Sequence, residues 1–512
     1  MRIVPFTALA LVAALAAPAL APAAQADASV TTGVLNSFDG TPIVYTLFLP
    51  AGASADHPVP AVLMTHGWAG SRQTGTGGMV GRLLDAGFAV VTWDSRGFGQ
   101  SGGFIELDSP AYEVRDASAL VDMLAASPLI AQRDGDPLVG MAGGSYAGGI
   151  QLLTAAFDSR IDAIVPDITW NDLRQSLGPG GVPKEAWIAV LFGSGAATGE
   201  AYGLEPGNPT GPQAQGYDIN LPLWYAEVHA VNGLTPDVSE GLRERSAAAW
   251  MSHIRAPALF TQGLPDTLFN ANEAMANVQG LLAHGTPAEL MLYCGGHAGC
   301  PYAGPGSRVD DATVAWLSLW LKGEPSGLLW PPVQWEDNTG AWHGALSWPP
   351  HDAAWLHAAG SLQLVSVPAP VGGGSYSIGA GGVSGAIPQV TDAQGVASGL
   401  VPIATSGNAT EVSGIGKVHL SVTGIGTEAF LFFRLVDATD GTVLDGQTQA
   451  FRMPVSPFSA SVADVDLVGV DYVLPAGHQL ALQVSTSDLA HAVNREPGVY
   501  DVSVSVDVPT SA

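Results

Sequence analysis

The 512-residue sequence predicts an α/β domain followed by an all-β domain. In the N-terminal part, short apolar runs typical of buried strands alternate with segments of helical period. This alternation is typical of a parallel sheet with helices on both faces. In the C-terminal part, short runs of alternating apolar and polar residues are separated by Gly, Asp and Ser, and this pattern predicts a β-sandwich or jelly roll.

The chain is too long for one ordinary core and suits two or three domains. We assign residues 27–325 to the α/β domain and residues 333–512 to the β domain, because the composition changes between them. From about residue 170 to 252 the α/β rhythm gives way to Gly- and Pro-rich stretches mixed with aromatic residues. That break predicts a helical cap inserted over the sheet.

Residues 1–26 have the layout of a secretory signal peptide, with a basic start, an apolar run and the small-residue site Ala24-Gln25-Ala26. Prolines interrupt the run and no charged stop-transfer flank follows, so a membrane anchor is the less favoured interpretation. We expect cleavage near Ala26 and a secreted protein, extracellular or periplasmic. After cleavage we expect no association with a membrane.

The individual elements follow from local periodicity. A β-hairpin over residues 33–50 alternates apolar and polar residues on both sides of an Asp-Gly turn. Short apolar runs predict further strands at residues 61–64, 88–93, 137–141, 258–261 and 289–293. Helical periodicity predicts helices at residues 79–86, 112–127, 148–156, 272–284 and 310–322. In the β domain, alternation is clearest at residues 417–422, 429–436 and 478–484.

The charge balance excludes some classes of partner. The 18 basic and 46 acidic residues give a net charge of −28. This charge argues against nucleic acid and anionic membrane surfaces. Nothing in the composition indicates an oligomeric state.

Ser145 is the candidate nucleophile. The strand ending at Met141 runs into Gly-Gly-Ser-Tyr-Ala-Gly at residues 143–148 and then into a helix. Small neighbours permit a crowded strand-to-helix turn that exposes the serine at the carboxyl end of the sheet. The other interpretation is a Gly- and Ser-rich loop without chemistry, but the position directly after a buried strand favours the nucleophile.

A nucleophilic serine needs a general base and a group that orients that base. Asp266 and His297 each follow a predicted strand, in the chain order Ser, Asp, His that is typical of α/β-hydrolase domains. His297 would take and return the proton, and Asp266 would fix its tautomer. The alternatives are a helix cap for Asp266 and an ordinary loop position for His297. Glycines on both sides of His297 favour the catalytic interpretation.

The oxyanion of an acyl-transfer reaction needs backbone donors. One would be the N–H of Tyr146, directly after the nucleophile. The second would be the N–H of Trp68, in the loop that follows the strand at residues 61–64. Alternatively, Trp68 is a wall of the pocket. His66 lies too early in the chain order to be the general base.

The two cysteines, Cys294 and Cys300, flank His297 closely. In an oxidising compartment they would form a disulfide that stiffens the histidine loop. A metal site is less favoured, because only three ligands are visible and structural zinc sites use four. We therefore expect neither a metal nor another cofactor.

One more segment completes a recognisable set. Residues 94–103 read Asp-Ser-Arg-Gly-Phe-Gly-Gln-Ser-Gly-Gly, a Gly-rich turn in which Asp94 and Arg96 can pin neighbouring loops. With the serine turn, Asp266, His297 and the trailing β domain, this turn resembles the X-Pro dipeptidyl-peptidase and cocaine-esterase (CocE/NonD-like) family of serine hydrolases. The resemblance covers nearly all of the mature chain. It implies an α/β-hydrolase domain with a cap and a C-terminal jelly roll.

The resemblance also implies an activity. We expect a serine hydrolase that cleaves a small-molecule ester or a peptide through an acyl-serine, either a carboxylesterase or an amino-acid ester hydrolase. An X-Pro dipeptidyl-peptidase is the alternative, and a non-catalytic secreted binding protein is the alternative of another class. Peptidase members need carboxylates that bind a free amino terminus, for which Asp167 and Asp172, beside Trp170, are the nearest candidates. Either aspartate could instead cap a helix.

Overall fold

The computed structural model describes residues 28–203, 214–297, 299–302, 304–368, 376–378, 388–390 and 397–511. The signal peptide expected at residues 1–26 lies outside these ranges. Within them, no helix is both long and apolar enough to cross a membrane.

The first part of the chain alternates strands and helices, as the sequence predicts. Its strands are β1 (Ser29–Asn36), β2 (Pro42–Leu49), β3 (Ala61–Met64), β4 (Ala89–Trp93), β5 (Gly103–Ile105), β6 (Gln132–Arg133), β7 (Asp136–Pro137), β8 (Val139–Gly144), β9 (Ile161–Asp167), β10 (Ala214–Tyr217), β11 (Ala258–Gly263), β12 (Ala288–Tyr293), β13 (Val333–Glu336) and β14 (Trp342–Ala345). Its helices are α1 (Gly78–Asp85), α2 (Glu113–Ala125), α3 (Tyr146–Phe157), α4 (Leu173–Leu177), α5 (Glu185–Gly203), α6 (Asn220–Val231), α7 (Pro236–Glu244), α8 (Ala271–Ala283) and α9 (Arg308–Lys322).

A ten-stranded sheet with the order β1-β2-β4-β3-β8-β9-β11-β12-β13-β14 organises this part. The strands from β4 to β13 in that order run parallel, and antiparallel pairs close both edges. Alternate residues enter the cores on opposite faces, with Leu63 and Val91 in one core and Val62 and Val90 in the other. The parallel arrangement brings the carboxyl ends of β8, β11 and β12 to one edge.

Strand β9 was not predicted, although it lies between β8 and β11. Asp162 and Pro166 interrupt its apolar run, which conceals the buried-strand pattern. Helices α4 to α7 connect β9 to β11 and form the cap. The strand is therefore the element from which the cap departs.

The segment that follows the boundary at residue 333 pairs with the first sheet. Residues 333–345 were expected in the β domain, but they form β13 and β14 at the edge of the first sheet. Strand β13 pairs in parallel with β12, so its apolar side chains extend the α/β core rather than the sandwich. Trp335 is buried in that core.

The β domain is a sandwich of antiparallel sheets, as predicted. Its strands are β15 (Ala354–Ser366), β16 (Tyr376–Ile378), β17 (Pro388–Val390), β18 (Ser398–Thr405), β19 (Thr410–Gly414), β20 (Lys417–Ile425), β21 (Glu428–Asp437), β22 (Thr442–Val443), β23 (Gln449–Pro454), β24 (Ser461–Asp466), β25 (Val470–Leu474), β26 (Gln479–Ser485) and β27 (Gly498–Thr510). One sheet is β24-β20-β27-β19-β25 with β15 on β27, and the other is β18-β26-β21-β22 with β23 on β21. Leu420 and Val504 of the first sheet meet Leu431 and Leu482 of the second in one core.

The β domain contacts the cap directly. Asn232 at the end of α6 donates from its side chain to the Val493 carbonyl at 2.9 Å. The Ala492 N–H donates to the Pro183 carbonyl at 2.8 Å. The cap is thus held between the sheet below it and the sandwich beside it.

Candidate active site

Ser145 sits on a strained turn between β8 and α3. Its φ of 60° and ψ of −122° place a non-glycine residue in a sparsely populated region. The turn is held by a hydrogen bond of 2.9 Å from the Ser145 N–H to the Asp167 carbonyl. The crowding that the sequence implied is real, because a Cβ at Gly148 would lie 2.6 Å from the Thr169 Cβ. The turn presents the hydroxyl at the carboxyl edge of the sheet.

The three residues that the sequence nominated are joined by hydrogen bonds. The His297 Nε2 lies 2.7 Å from the Ser145 Oγ, and the His297 Nδ1 lies 2.7 Å from the Asp266 Oδ2. Because the Asp266 carboxylate accepts a hydrogen bond from the His297 Nδ1, the ring proton is on Nδ1. The lone pair of Nε2 then faces the serine hydroxyl. This arrangement can remove the serine proton.

Asp266 is fully buried, and its carboxylate is saturated with donors. Its Oδ1 accepts from the N–H groups of Leu268 at 2.9 Å and Phe269 at 3.1 Å, while its Oδ2 also accepts from the His297 N–H at 3.0 Å. These bonds fix the orientation of the carboxylate. Gly296 has a φ of 106°, and a Cβ there would lie 2.7 Å from the Asp266 Cβ. Glycine is therefore required for the close approach of the two loops.

The histidine loop is fixed by covalent and aromatic contacts. Cys294 and Cys300 form a disulfide across it, as the sequence predicts. The rings of Trp187 and Phe269 approach the imidazole edge-on, with centroids 5.7 and 5.3 Å away. These contacts restrict the imidazole to the orientation that faces Ser145.

The loop after β3 is also rigid. The Trp68 indole Nε1 donates to the Leu191 carbonyl at 2.7 Å, and its ring packs against Tyr146 with centroids 5.2 Å apart. His66 bonds to the Gly67 carbonyl at 2.8 Å through Nδ1, and its Nε2 accepts from the Ser95 N–H at 3.1 Å. Burial lowers the pKa of His66, so this ring is neutral and structural. The indole donor of Trp68 is already occupied.

The nominated carboxylates are not part of the pocket next to Ser145. The Asp167 Oδ1 accepts from the hydroxyls of Thr261 at 2.7 Å and Tyr293 at 2.9 Å, and burial raises its pKa to about 6. Asp172 caps α4 by accepting from the Arg174 N–H at 2.9 Å and pairs with that guanidinium at 2.6 Å. Each of these two side chains has partners within the fold and neither lines the cavity beside Ser145, and the amine-binding hypothesis for them stays a prediction. Trp170 does line the pocket.

The Gly-rich turn at residues 94–103 pins loops together, as expected. Asp94 is buried, pairs with the Arg72 guanidinium and accepts from the Gln100 N–H at 2.9 Å. Arg96 pairs with the buried Asp116 at 2.7 Å. The segment is thus a buttress for the loops around the site.

Two residues that the sequence did not nominate hold the Asp266 loop. Gln447 of the β domain donates from Nε2 to the carbonyls of Leu264 at 2.6 Å and Asp266 at 3.0 Å. Lys184 of the cap donates from Nζ to the carbonyls of Thr267 and Leu268, both at 2.8 Å. Burial lowers the pKa of Lys184 to about 8. No local signal marks either residue, because each acts through a contact distant in the chain.

A cavity opens beside Ser145 under the cap. Nineteen residues line it, and all except Ser145 are aliphatic or aromatic. Trp68 and Tyr146 form its wall nearest the serine, and α5, α6 and α7 contribute most of the opposite wall. Ser145 therefore borders an apolar cavity.

The fold and the site together define a hydrolase of the α/β-hydrolase type with a C-terminal all-β domain. The family model described as X-Pro dipeptidyl-peptidase (S15 family) matches residues 39–299. The model for the X-Pro dipeptidyl-peptidase C-terminal non-catalytic domain matches residues 329–504. The chain belongs to the X-Pro dipeptidyl-peptidase (S15) family, which confirms the resemblance inferred from the sequence.

Solved structures show the same fold over nearly the whole chain. An aminopeptidase from a marine-sediment Thaumarchaeota archaeon is 16% identical, with a TM-score of 0.74 over 97% of this chain and 98% of that one. A CocE/NonD family hydrolase from Staphylococcus aureus is 14% identical, with a TM-score of 0.66 over 97% and 99%. An α-amino acid ester hydrolase is 16% identical, with a TM-score of 0.67 over 97% and 100%. Identities this low establish the fold alone.

A curated relative matches a shorter stretch. An uncharacterized 31.7 kDa protein of the traX-finO intergenic region of Escherichia coli is 29% identical over 130 residues, which cover 25% of this chain and 43% of that protein. The match thus spans less than half of the relative's length.

Proposed function

We propose that this protein is an exported serine hydrolase that cleaves an ester or amide bond through an acyl intermediate on Ser145. The observation that carries the proposal is the continuous hydrogen-bond chain from the Ser145 Oγ through His297 to the buried Asp266. It unites a nucleophile, a general base and an orienting carboxylate.

The reaction has two steps. The Ser145 oxygen attacks the substrate carbonyl carbon while its proton passes to the His297 Nε2, and Asp266 stabilises the resulting imidazolium. His297 then gives this proton to the leaving alcohol or amine, whose bond to the carbonyl carbon breaks. In the second step His297 takes a proton from water, the water oxygen attacks the acyl carbon, and Ser145 leaves with the proton.

The oxyanion formed in each step needs preorganised donors. We assign them to the backbone N–H groups of Tyr146 and Trp68. Tyr146 is the first residue of α3, where N–H groups lack intrahelical acceptors and the helix dipole favours negative charge. The side-chain contacts of Trp68 make its loop rigid, and the occupied indole leaves the main chain as the donor.

Export is supported by the leader-like N-terminal sequence and by the disulfide between Cys294 and Cys300. In an oxidising compartment outside the cytoplasm, the disulfide would stay formed and would hold the histidine loop in place. Amino-terminal sequencing of the protein from culture supernatant or periplasm should begin near Asp27. An intact Met1 on a cell-associated protein would contradict export.

Labelling with a fluorophosphonate probe tests the catalytic assignment. We expect one adduct per chain, on the peptide that contains Ser145, and no adduct in Ser145→Ala. Ser252→Ala, which removes an exposed serine outside the site, should be labelled like the wild type. Folded wild-type protein that stays unlabelled and hydrolyses neither p-nitrophenyl acetate nor Ala-Pro-p-nitroanilide would instead indicate the binding-protein alternative.

A further inference from the structure

Lys184 is a buried cation directly before the cap helix α5, with only 4% of its surface exposed. Its backbone is fixed, because its N–H donates to the Leu177 carbonyl at 2.8 Å. Its Nζ donates to the carbonyls of Thr267 and Leu268 in the Asp266 loop, both at 2.8 Å. Burying an ammonium is costly unless it finds such partners. The cap therefore places a charge against the loop that carries Asp266.

The two carbonyls belong to the same peptide groups whose N–H groups bind Asp266. The Thr267 carbonyl and the Leu268 N–H form one peptide group, and the Leu268 carbonyl and the Phe269 N–H form the next. Both N–H groups donate to the Asp266 Oδ1, at 2.9 and 3.1 Å. Each peptide group is thus held at its oxygen by the ammonium and at its nitrogen by the carboxylate. Hydrogen bonds in such a chain polarise one another and become stronger.

The first turn of α5 also contacts the imidazole. The Trp187 indole donates from Nε1 to the Thr267 hydroxyl at 3.2 Å, and its ring approaches His297 edge-on with centroids 5.7 Å apart. Lys184 precedes this turn directly. The start of one cap helix therefore reaches both the Asp266 loop and the His297 ring.

The charge of Lys184 depends on groups from three neighbouring parts of the fold. Burial lowers the pKa of Lys184 to about 8, and the charges of Glu273 and Asp266 act against this decrease. Among the described residues, Asp488 and His491 of the sandwich line a small cavity together with Lys184. The ammonium form therefore prevails at about pH 7 and is lost as the pH rises through about 8.

From this geometry we propose that Lys184 is a positioning residue for the reaction, whose ammonium fixes the two peptide groups that orient Asp266. The proposal rests on the acyl-serine mechanism proposed above. A neutral amine still donates hydrogen bonds, but charge-assisted bonds are roughly twice as strong. Loss of the charge therefore loosens both peptide groups, and a displaced carboxylate orients His297 less well. The rate then depends on a charge that lies outside the cavity beside Ser145.

The pH dependence of kcat tests this role. With p-nitrophenyl acetate, after subtraction of spontaneous hydrolysis, the wild-type kcat should fall about tenfold between about pH 7 and pH 10. Lys184→Met lacks the charge at every pH, so its kcat should be about tenfold lower at about pH 7 and change little above it. The two profiles should therefore approach each other in alkali. A wild-type kcat that does not fall, or a constant ratio between the two proteins, would overturn the proposal.

Two further variants separate the charge from packing. Lys184→Arg keeps a cation, because arginine stays protonated in proteins, so its kcat should not fall over the same range. Lys322→Met is the matched control, since Lys322 at the end of α9 also donates to a backbone carbonyl, that of Ala86. Its profile should follow the wild type. A wild-type fall in Lys184→Arg, or a flat profile in Lys322→Met, would assign the pH effect to another group.

Circular dichroism at each pH confirms that the proteins are folded. If Lys184→Met does not fold, the profiles of the wild type and Lys184→Arg still decide the question. Hydrolysis that is lost in Ser145→Ala but is constant in alkali would overturn the role of Lys184 and leave the serine mechanism intact. Folded wild-type protein without hydrolysis and without a fluorophosphonate adduct on Ser145 would refute the mechanism, and this proposal with it.

Discussion

Each domain contains a histidine whose Nδ1 lies 2.7 Å from a buried aspartate, His297 with Asp266 and His491 with Asp488. The two pairs differ at the other imidazole nitrogen. The His297 Nε2 faces the Ser145 hydroxyl at 2.7 Å, whereas the His491 Nε2 is buried without a hydrogen-bond partner among the described residues. A histidine–carboxylate pair is therefore not in itself a catalytic device.

The two aspartates also differ in their second set of contacts. Backbone N–H groups hold Asp266, while the fully buried guanidinium of Arg434 pairs with Asp488. Burial alone would raise the pKa of Asp488, but the charges and hydrogen bonds of His491 and Arg434 lower it below its ordinary value. The pair in the sandwich is an internal ion-pair network, and the pair at the sheet edge contacts Ser145, which we propose as the nucleophile.

The largest expected effect comes from removing the nucleophile that distinguishes the two pairs. Ser145→Ala should lower kcat for p-nitrophenyl acetate on the order of 10⁶-fold, as loss of a nucleophile does in other serine hydrolases. Steady-state rates above the uncatalysed background measure it, with circular dichroism as the control for folding. Residual activity within tenfold of the wild type would mean that another group is the nucleophile.

The same substitution in the two aspartates should have opposite consequences. Asp266→Asn should lower kcat by about 10⁴-fold, because the amide favours the wrong histidine tautomer. Asp488→Asn should leave kcat within about threefold and lower the free energy of unfolding by about 3 kcal/mol, since it leaves the buried charge of Arg434 without its anionic partner. Rates and denaturant titrations of both variants check this contrast. Similar activity losses in the two variants would erase the distinction between the pairs.

The third acid is Glu113, which lies beneath Tyr146. We expect it to make the stability of the fold depend on pH in the direction opposite to that caused by Asp488. Burial, followed by the charge of Asp116, raises the pKa of Glu113 from 4.5 to about 8. The folded chain then binds more protons than the unfolded chain between these values, so this group makes stability fall as pH rises. Glu113→Gln should reduce that slope by up to about 1.4 kcal/mol per pH unit, measured by calorimetric melting.

Asp488 provides the comparison on the acid side. Its lowered pKa stabilises the fold above about pH 3.8, and this contribution is lost as pH falls through the folded-state pKa. The Glu113→Gln variant should therefore keep the wild-type loss of stability in acid and differ from it only at higher pH. If the stabilities of the wild type and of Glu113→Gln changed in parallel between pH 5 and 8, the assignment to Glu113 would be contradicted.

The smallest expected effect tests the contact between the domains. Gln447→Ala removes both hydrogen bonds to the Asp266 loop and should lower kcat about tenfold, since misplaced catalytic groups lose rate without losing binding. The KM for p-nitrophenyl acetate should stay within about twofold. Gln449→Ala is the control, because its amide bonds to the Ala450 carbonyl within the sandwich. If Gln447→Ala and Gln449→Ala lowered kcat equally, Gln447 would act only through the general stability of the fold and not through the position of Asp266.

The sequence predicted the α/β and all-β architecture because short apolar runs and period-two alternation are local signals. Local signals also predicted the candidate triad of Ser145, Asp266 and His297. Each of these residues follows a strand, and the carboxyl ends of parallel strands meet at one edge of the sheet. Strand β9 was not predicted, because Asp162 and Pro166 interrupt its apolar run.

Contacts between distant segments were beyond local reading. Gln447 bonds to Asp266 across 181 positions in the chain, and Lys184 reaches Leu268 across 84. Strands β13 and β14 extend the first sheet because β13 pairs with the edge of β12. That edge exists only in the assembled sheet, so the local sequence does not reveal the pairing. Such features depend on packing that periodicity does not encode.

Trapping the acyl-enzyme tests the central claim most directly. The protein is mixed with p-nitrophenyl butyrate, quenched in acid within the first turnover, digested and analysed by mass spectrometry. The account predicts one butyryl group per chain, on Ser145, with a matching burst of p-nitrophenol and neither signal in Ser145→Ala. Turnover without an acylated serine, or a butyryl group on another residue, would contradict it.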